Sequence, residues 1–198
     1  MGVILRKKLN ESSPINNRID SDSIINLLKI LYAEEILAWY QYFIVSKFMQ
    51  GQERPSIEKF FGETANDELN DHANKLLKRI SELGGDISVI SDISNIKTLS
   101  TCKYNVPVQP YNTIKLLEDN IKSEICAIEH YLNLVDITKD KDYTTYYMAL
   151  DILADEEEHL RSLQDFYTDI TGHEYEIYNE ENSINREFII IDRDISLN

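Results

Sequence analysis

Apolar residues recur with the 3.6-residue period of an amphipathic helix along four long stretches of the chain. The first stretch ends near Gln50-Gly51, the second at Gly84-Gly85 and the fourth at Gly172, all residues that commonly end helices. Pro55 lies where a first-turn proline is tolerated. The pattern therefore predicts four helices, over residues 21–50, 54–84, 111–138 and 142–170.

The links between these helices predict how they are connected. Each helix has about 28 residues and would be about 42 Å long. The first and third links are short, so they join antiparallel neighbours, whereas residues 86–110 are long enough to run the length of a helix. This pattern predicts an all-α four-helix bundle with one long crossover between helices two and three.

The domain boundaries follow from the same pattern. Residues 1–19 form an N-terminal tail, residues 20–172 the bundle with its crossover at 86–110, and residues 173–198 a C-terminal tail. The REFIIID run in the second tail is interpreted as strand-like or as a docking segment.

The composition of the chain disfavours several classes of protein. The 198 residues include 35 Asp and Glu against 20 Lys and Arg, a net charge of −15. This charge argues against direct DNA binding and favours attraction of cations, since only Arg6, Lys7 and Lys8 form a basic cluster. No apolar run reaches the roughly 18 residues of a membrane span, and the N-terminus lacks a signal-peptide core. We therefore expect a cytoplasmic protein with no membrane contact.

Six polar residues occupy positions that the helical period assigns to the bundle interior. Glu68 and His72 are four residues apart and Glu156 and His159 are three apart, so each pair shares one helix face. Each of four glutamates lies about 14 residues from the start of its predicted helix, near the middle, so all can meet in one layer. The six candidates are Glu35, Glu68, His72, Glu124, Glu156 and His159.

Such a layer predicts a two-metal site. Buried carboxylates without counter-charge are strongly unfavourable, and two divalent cations would offset that penalty. One Glu from each of two helices and a Glu/His pair from each of the others is the ligand set of di-iron and di-manganese carboxylate sites. Oxygen-rich ligation favours Fe or Mn over structural zinc. A single Glu–His pair is more typical of a surface pair, and His130 and His173 have no such partners in the pattern.

At these residues the chain resembles the ferritin superfamily, and most closely the Dps-like proteins with a bacterioferritin-type site, called thioferritins. The resemblance covers about residues 20–172 and rests on AEEILAWYQYF, DELNDHANKLLKRISELGG, STCKYNVP with SEICAI, and DILADEEEHL. It implies a ferritin-like four-helix bundle in which the six candidates bind two Fe ions per subunit, with Mn or Zn as substitutes. It implies Asp155 as a partner that orients a histidine.

The resemblance also implies an activity and an assembly. The expected protein is a dodecameric cage, a homo-oligomer that oxidises Fe(II) with hydrogen peroxide or dioxygen, for iron storage and protection against oxidative stress. Two other functions fit the same residues: a di-iron or di-manganese peroxidase or catalase-like protein without storage, and a non-enzymatic helical scaffold. A rubrerythrin is disfavoured, because no pair of Cys-x-x-Cys motifs is present.

The second helix departs from the bacterioferritin pattern at two positions. Bacterioferritins place the glutamate three residues before the histidine, whereas here Glu68 is four before His72, which is still about 40° away on the same face. We expect a π-bulge within residues 64–72 to absorb the additional residue. Leu69 stands where bacterioferritins have a haem-ligating methionine, so we expect no haem.

Cys102 in the crossover and Cys126 in the third helix allow two interpretations. Cys126 lies about 200° around its helix from Glu124, facing away from the ligand layer, so a disulfide to the crossover is feasible. The alternative is two free thiols, with Cys126 as small core filling. A cysteine pair at these places distinguishes the thioferritins, and the resemblance implies that it donates or relays electrons during peroxide reduction. Tyr32 and Trp39, which flank Glu35, are interpreted as core aromatics.

Overall fold

The computed structural model describes residues 21–106 and 112–176, and all regular structure in those ranges is helical. None of the helices in these ranges is sufficiently long and apolar to cross a membrane. The structure is thus the all-α bundle that the sequence predicts, with a short helix added in the crossover. The helices are α1 (Ser21–Phe48), α2 (Arg54–Asp67), α3 (Ala73–Glu82), α4 (Ile93–Leu99), α5 (Thr113–Thr138) and α6 (Tyr143–Thr171), with a π-helical turn (Glu68–His72) between α2 and α3.

The π-helical turn makes α2 and α3 one continuous helix. The N–H of Ala73 donates to the carbonyl of Glu68, five residues earlier, instead of four as in an α-helix. This turn confirms the predicted π-bulge. It absorbs one residue, so Glu68 and His72 both face the interior although they are four residues apart.

Glycines end the long helices where the sequence predicts. Gly84, just after α3, has φ +80°, and Gly172 closes α6 with φ +72° and an N–H bond to Thr168. Both angles lie in the left-handed region that a side chain disfavours. The α5 helix begins at Thr113, two residues after the predicted start, because the side chain of Asn112 caps the N–H of Lys115.

The crossover contains a helix that the pattern did not predict. Asp92 caps α4 by accepting from the N–H of Ser94, and Ile90 and Ile96 bury their side chains against the bundle. Seven residues are too few to give a clear helical period, so the sequence signal was weak. The basic cluster of the N-terminal tail and the REFIIID run lie outside the described residues.

The apolar core consists of two clusters with a polar layer between them. Along α1 the first cluster takes residues 24–33 and the second takes residues 38–45, followed by Met49 just after the helix. On the other long helices, the residues of the two clusters are also separated along the helix. The candidate ligands lie between them on each helix. The two clusters therefore hold the layer at mid-height and keep water away from it.

Candidate metal centre

Four helices deliver the six candidate ligands to this layer. Each of these residues is buried, with no more than 6% of its surface exposed. The α1 and α5 helices supply one carboxylate each, while the π-helical turn and α6 supply a Glu/His pair each. The structure thus brings together all six residues that the sequence singled out: Glu35, Glu68, His72, Glu124, Glu156 and His159.

The six side chains form two groups of four that share two members. Glu35 and His72 meet Glu68 and Glu156 in one group, with one ligand atom from each residue lying within 4.8 Å of the others. The Nδ1 atom of His72 is 3.0 Å from Glu68, 3.2 Å from Glu156 and 3.5 Å from Glu35. This group could surround one ion.

Glu124 and His159 complete the second group with the same two shared glutamates. The Nδ1 atom of His159 is 3.3 Å from Oε2 of Glu156 and 3.4 Å from Oε1 of Glu68. Glu68 and Glu156 each face both imidazoles, as carboxylates that bridge two ions do. The geometry therefore fits two cations, each with one histidine and one glutamate of its own.

The electrostatics of the layer indicate that positive charge is needed. Burial, with the charges of Glu156 and Glu68, raises the pKa of Glu35 and Glu124 well above the usual 4.5. Oε1 of Glu68 is buried and accepts no hydrogen bond among the described residues, although the imidazole of His159 lies 3.4 Å away. A lone buried carboxylate oxygen is unfavourable unless something binds it. This donor set suits two oxygen-preferring divalent ions.

Two tyrosines complete the layer, and sequence reasoning missed them. The hydroxyl of Tyr42 donates to Oε1 of Glu124, and the hydroxyl of Tyr131 donates to Oε1 of Glu35. Each tyrosine lies seven residues after the glutamate of its own helix and contacts the glutamate of the other. The reciprocal pairs show that α1 and α5 pack antiparallel. In the sequence, the only sign of these two tyrosines was that each lies seven residues after a candidate glutamate.

Asp155 lies behind His72, the position that the resemblance implies for it. Its Oδ2 is 3.4 Å from Nε2 of His72, the ring nitrogen that points away from the carboxylates. A carboxylate at that position fixes which ring nitrogen is free to bind a metal. Tyr32 and Trp39 are partly buried and pack against the two apolar clusters, in agreement with their interpretation as core aromatics.

Cys102 and Cys126 form a disulfide with 5.8 Å between their Cα atoms, so the free-thiol alternative is wrong for this structure. The disulfide lies beside the crossover, outside both groups of metal-ligand candidates. His130 is also not the isolated histidine that the pattern indicated. Its Nδ1 lies 2.8 Å from Glu34 and 3.7 Å from Sγ of Cys102.

Comparison with known proteins places this architecture in a family. The model of the ferritin-like domain matches residues 25–172. The DNA protection during starvation protein of Pyrococcus furiosus is 33% identical over 144 residues, which cover 71% of this chain and 75% of that protein. The chain therefore belongs to the ferritin-like family, and its Dps-type resemblance is confirmed.

Two solved structures are also similar. The dodecameric thioferritin of Bacteroides fragilis, a bacterioferritin-related protein, is 38% identical with a TM-score of 0.75, covering 79% of this chain and 90% of that one. The Dps protein of Vibrio cholerae O1, a ferritin-like diiron-carboxylate protein, has a TM-score of 0.66 over 74% of this chain and 89% of that one. At 15% identity, the second similarity shows the fold alone.

Proposed function

We propose that the chain is a ferroxidase that binds two Fe(II) ions and oxidises them with hydrogen peroxide, or with dioxygen. The observation that carries this proposal is the pair of four-residue groups that share Glu68 and Glu156. Oε1 of Glu68, which is buried and accepts no hydrogen bond among the described residues, supports a bound cation over a purely structural acidic layer.

In this proposal Fe(II) is a substrate that the chain binds and orients. Glu35 with His72 holds one ion, Glu124 with His159 holds the other, and the two shared glutamates bridge them. Two Fe(II) ions give two electrons to one hydrogen peroxide, which takes up two protons and leaves as two waters. Carboxylate oxygens are hard ligands that favour the ferric product. The two apolar clusters limit access of bulk water to the layer.

We further propose that the product is stored in a hollow homo-oligomer. The Bacteroides fragilis relative is a dodecamer, and the net charge of −15 would draw Fe(II) toward acidic surfaces. The same charge opposes direct contact with DNA. Any protection of DNA would therefore come from removal of iron and peroxide.

The disulfide is proposed as a source of electrons beside the site. In the reduced state, Cys102 and Cys126 would give up two electrons and two protons as their S–S bond forms. One hydrogen peroxide would accept them and become two waters. The crossover that carries Cys102 also carries Tyr104, which packs against the second apolar cluster next to the ligand layer.

A matched pair of substitutions tests the ferroxidase proposal. Glu68→Gln removes the charge that both ions share, so we expect the rate of peroxide-driven Fe(II) oxidation to fall about 100-fold or more. Glu63→Gln, an exposed position on the same helix, should oxidise iron at the wild-type rate. The rates are measured by stopped-flow absorbance of ferric iron after anaerobic loading.

The same experiment separates the alternative functions. A Glu68→Gln protein that keeps its helical circular dichroism and oxidises iron within about twofold of wild type would contradict the proposal. Fast peroxide consumption with no ferric mineral retained in a large particle would favour a peroxidase without storage. Fast turnover with Mn(II) and none with Fe(II) would identify the di-manganese alternative.

A further inference from the structure

His130, Glu34 and the disulfide form a cluster that the metal centre does not use. Glu34 is almost fully buried, with 1% of its surface exposed, and belongs to neither group of metal-ligand candidates. Its Oε1 accepts from the backbone N–H groups of Thr101 and Cys102 at 3.1 and 3.3 Å. Its Oε2 lies 2.8 Å from Nδ1 of His130. One carboxylate therefore positions both the disulfide loop and the imidazole.

The imidazole in turn lies against one of the two sulfur atoms. Nδ1 of His130 is 3.7 Å from Sγ of Cys102, within the range of a hydrogen bond to sulfur, while Nε2 contacts the hydroxyl of Thr101. The hydrogen bond that His130 donates to Glu34 raises the pKa of His130 above 6.5; burial opposes this shift, and the charges of Glu34 and Glu129 add to it. The charged groups that act on the ring are thus Glu34 of α1 and Glu129 of its own helix.

The two cysteines differ in exposure. Cys102 is 8% exposed, whereas Cys126 is only half-buried and opens with it onto a surface depression of about 420 Å³. Lys103 and Lys122 line that depression with one carboxylate, Asp119, so its charged lining is net positive and would attract an anionic thiolate. An incoming thiolate therefore reaches Cys126 more easily, which leaves Cys102, beside His130, as the leaving group.

We propose that His130 is the general acid for reductive opening of the Cys102–Cys126 disulfide by an external thiol. The incoming thiolate forms a bond to Sγ of Cys126, and the Cys102–Cys126 bond breaks. Its electron pair goes to Sγ of Cys102, which takes the proton from Nδ1 of His130. A second thiolate from the same donor then releases Cys126, so a dithiol is oxidised and the protein disulfide is reduced. Glu34 stabilises the protonated ring and is a positioning residue.

This inference deepens the electron-relay role proposed for the disulfide, but its test needs neither iron nor peroxide. Metal-free protein with chelator is mixed with dithiothreitol, and free thiols are trapped by acid quench and alkylation, then counted by mass spectrometry. The observed rate constant is divided by the thiolate fraction of dithiothreitol at each pH. Failure here would leave the ferroxidase proposal untouched, and failure of that proposal would leave this exchange rate unchanged.

The corrected rate constant should depend on pH in one direction. Protonated His130 is the acid. The corrected rate constant should therefore be highest below the raised pKa of His130 and fall about tenfold as the pH rises from about 6 to about 9. His130→Gln should be about tenfold slower than wild type at low pH and show no such fall. His173→Gln, at an exposed histidine whose hydrogen bonds go to Thr171 and not to a cysteine sulfur, should behave as wild type.

Three results would overturn the proposal. The first is a corrected rate constant of the wild-type protein that does not change with pH, a result that can be obtained without any variant. A His130→Gln protein that opens faster at all pH values is another, because it would mean that the histidine only shields the disulfide. The third concerns the attacked sulfur: with glutathione, the mixed disulfide should lie on Cys126, and an adduct mainly on Cys102 would contradict the assigned leaving group.

Discussion

At the scale of single residues, two tyrosine hydroxyls each donate a hydrogen bond to one half of the candidate metal centre. Tyr131 acts on Glu35 in the half that contains His72, and Tyr42 acts on Glu124 in the half that contains His159. Each hydroxyl donates to a carboxylate that belongs to one group only. In the proposed two-ion site, each ion should therefore be open to weakening on its own, although the two would share two ligands.

Removing one hydroxyl should weaken one ion selectively. We expect Tyr131→Phe and Tyr42→Phe each to lower the affinity of one Fe(II) by about tenfold or more and leave the other within about twofold. Anaerobic Fe(II) titration of each variant measures the two steps. Tyr147→Phe, which is 64% exposed, is the control. Equal weakening of both steps in either variant would contradict the division into halves.

Repulsion among the glutamates predicts a trade-off between stability and metal binding. Burial and the neighbouring glutamates raise the pKa of Glu124, so ionisation of this group opposes folding; Glu124→Gln removes the ionisable group, and we expect the metal-free protein to gain about 1–2 kcal/mol in free energy of unfolding. With Fe(II) present the order should reverse, because the amide is a poorer ligand. Denaturant unfolding with and without metal measures both, and the exposed Glu129→Gln is the control. A metal-free variant less stable than wild type would show that the charges do not oppose folding.

At the scale of elements, the start of α6 is fixed by a buried ion pair. Asp142 accepts from the hydroxyl of Thr145 and from its N–H, the latter at 3.2 Å. Both carboxylate oxygens also accept from Nη2 of Arg79 on α3, at 2.9 and 2.8 Å. Burial acts to raise the pKa of Asp142, but these hydrogen bonds outweigh it and hold the pKa below its usual 3.8. One side chain therefore caps a helix and ties it to its neighbour.

Loss of this carboxylate should be destabilising in a pH-dependent way. We expect Asp142→Ala to lower the free energy of unfolding by about 2–4 kcal/mol near neutral pH. The folded pKa is depressed, so the stabilisation is present above the unfolded value near 3.8 and is lost as the pH falls through the folded pKa. The difference from wild type should therefore shrink in acid. Thermal melts over pH check this, with the exposed Asp136→Ala as control.

The π-helical turn makes a prediction about chain length. Deleting Leu69 should let residues 54–82 form a regular helix with glutamate and histidine three residues apart, as Glu156 and His159 are. We expect iron oxidation within about threefold of wild type, because the register on both sides is preserved. The control is deletion of the exposed Asp151 from α6, which is α-helical from Tyr143 to Thr171. This deletion should rotate the rest of that helix by about 100° and abolish two-iron binding. Equal loss in both deletions would mean that the turn itself is required.

The sequence predicted the long helices because apolar period and end signals agree, as at Gly84 and Gly172. It predicted the six ligands because they break an apolar pattern at one common depth. It did not predict α4, which is too short to show a period. The contacts of Tyr42, Tyr131 and His130 also escaped it, because they depend on how α1 packs against α5, which no single helix encodes.

At the scale of the whole molecule, assembly connects the site to storage. A cage is needed to hold ferric mineral, and the Bacteroides fragilis relative is dodecameric. We expect sedimentation velocity to give a particle of about twelve times the 23.1 kDa subunit mass. A monomer or dimer at micromolar concentration would contradict storage and leave a site that only consumes peroxide.

The most direct test of the two-metal site is anaerobic titration of metal-free protein with Fe(II), followed by a measured addition of hydrogen peroxide. The two groups that share Glu68 and Glu156 predict saturation at two Fe(II) per chain. They also predict the consumption of one peroxide for every two irons oxidised. Saturation at one iron or none, or oxidation no faster than in the Glu68→Gln protein, would contradict the paired site.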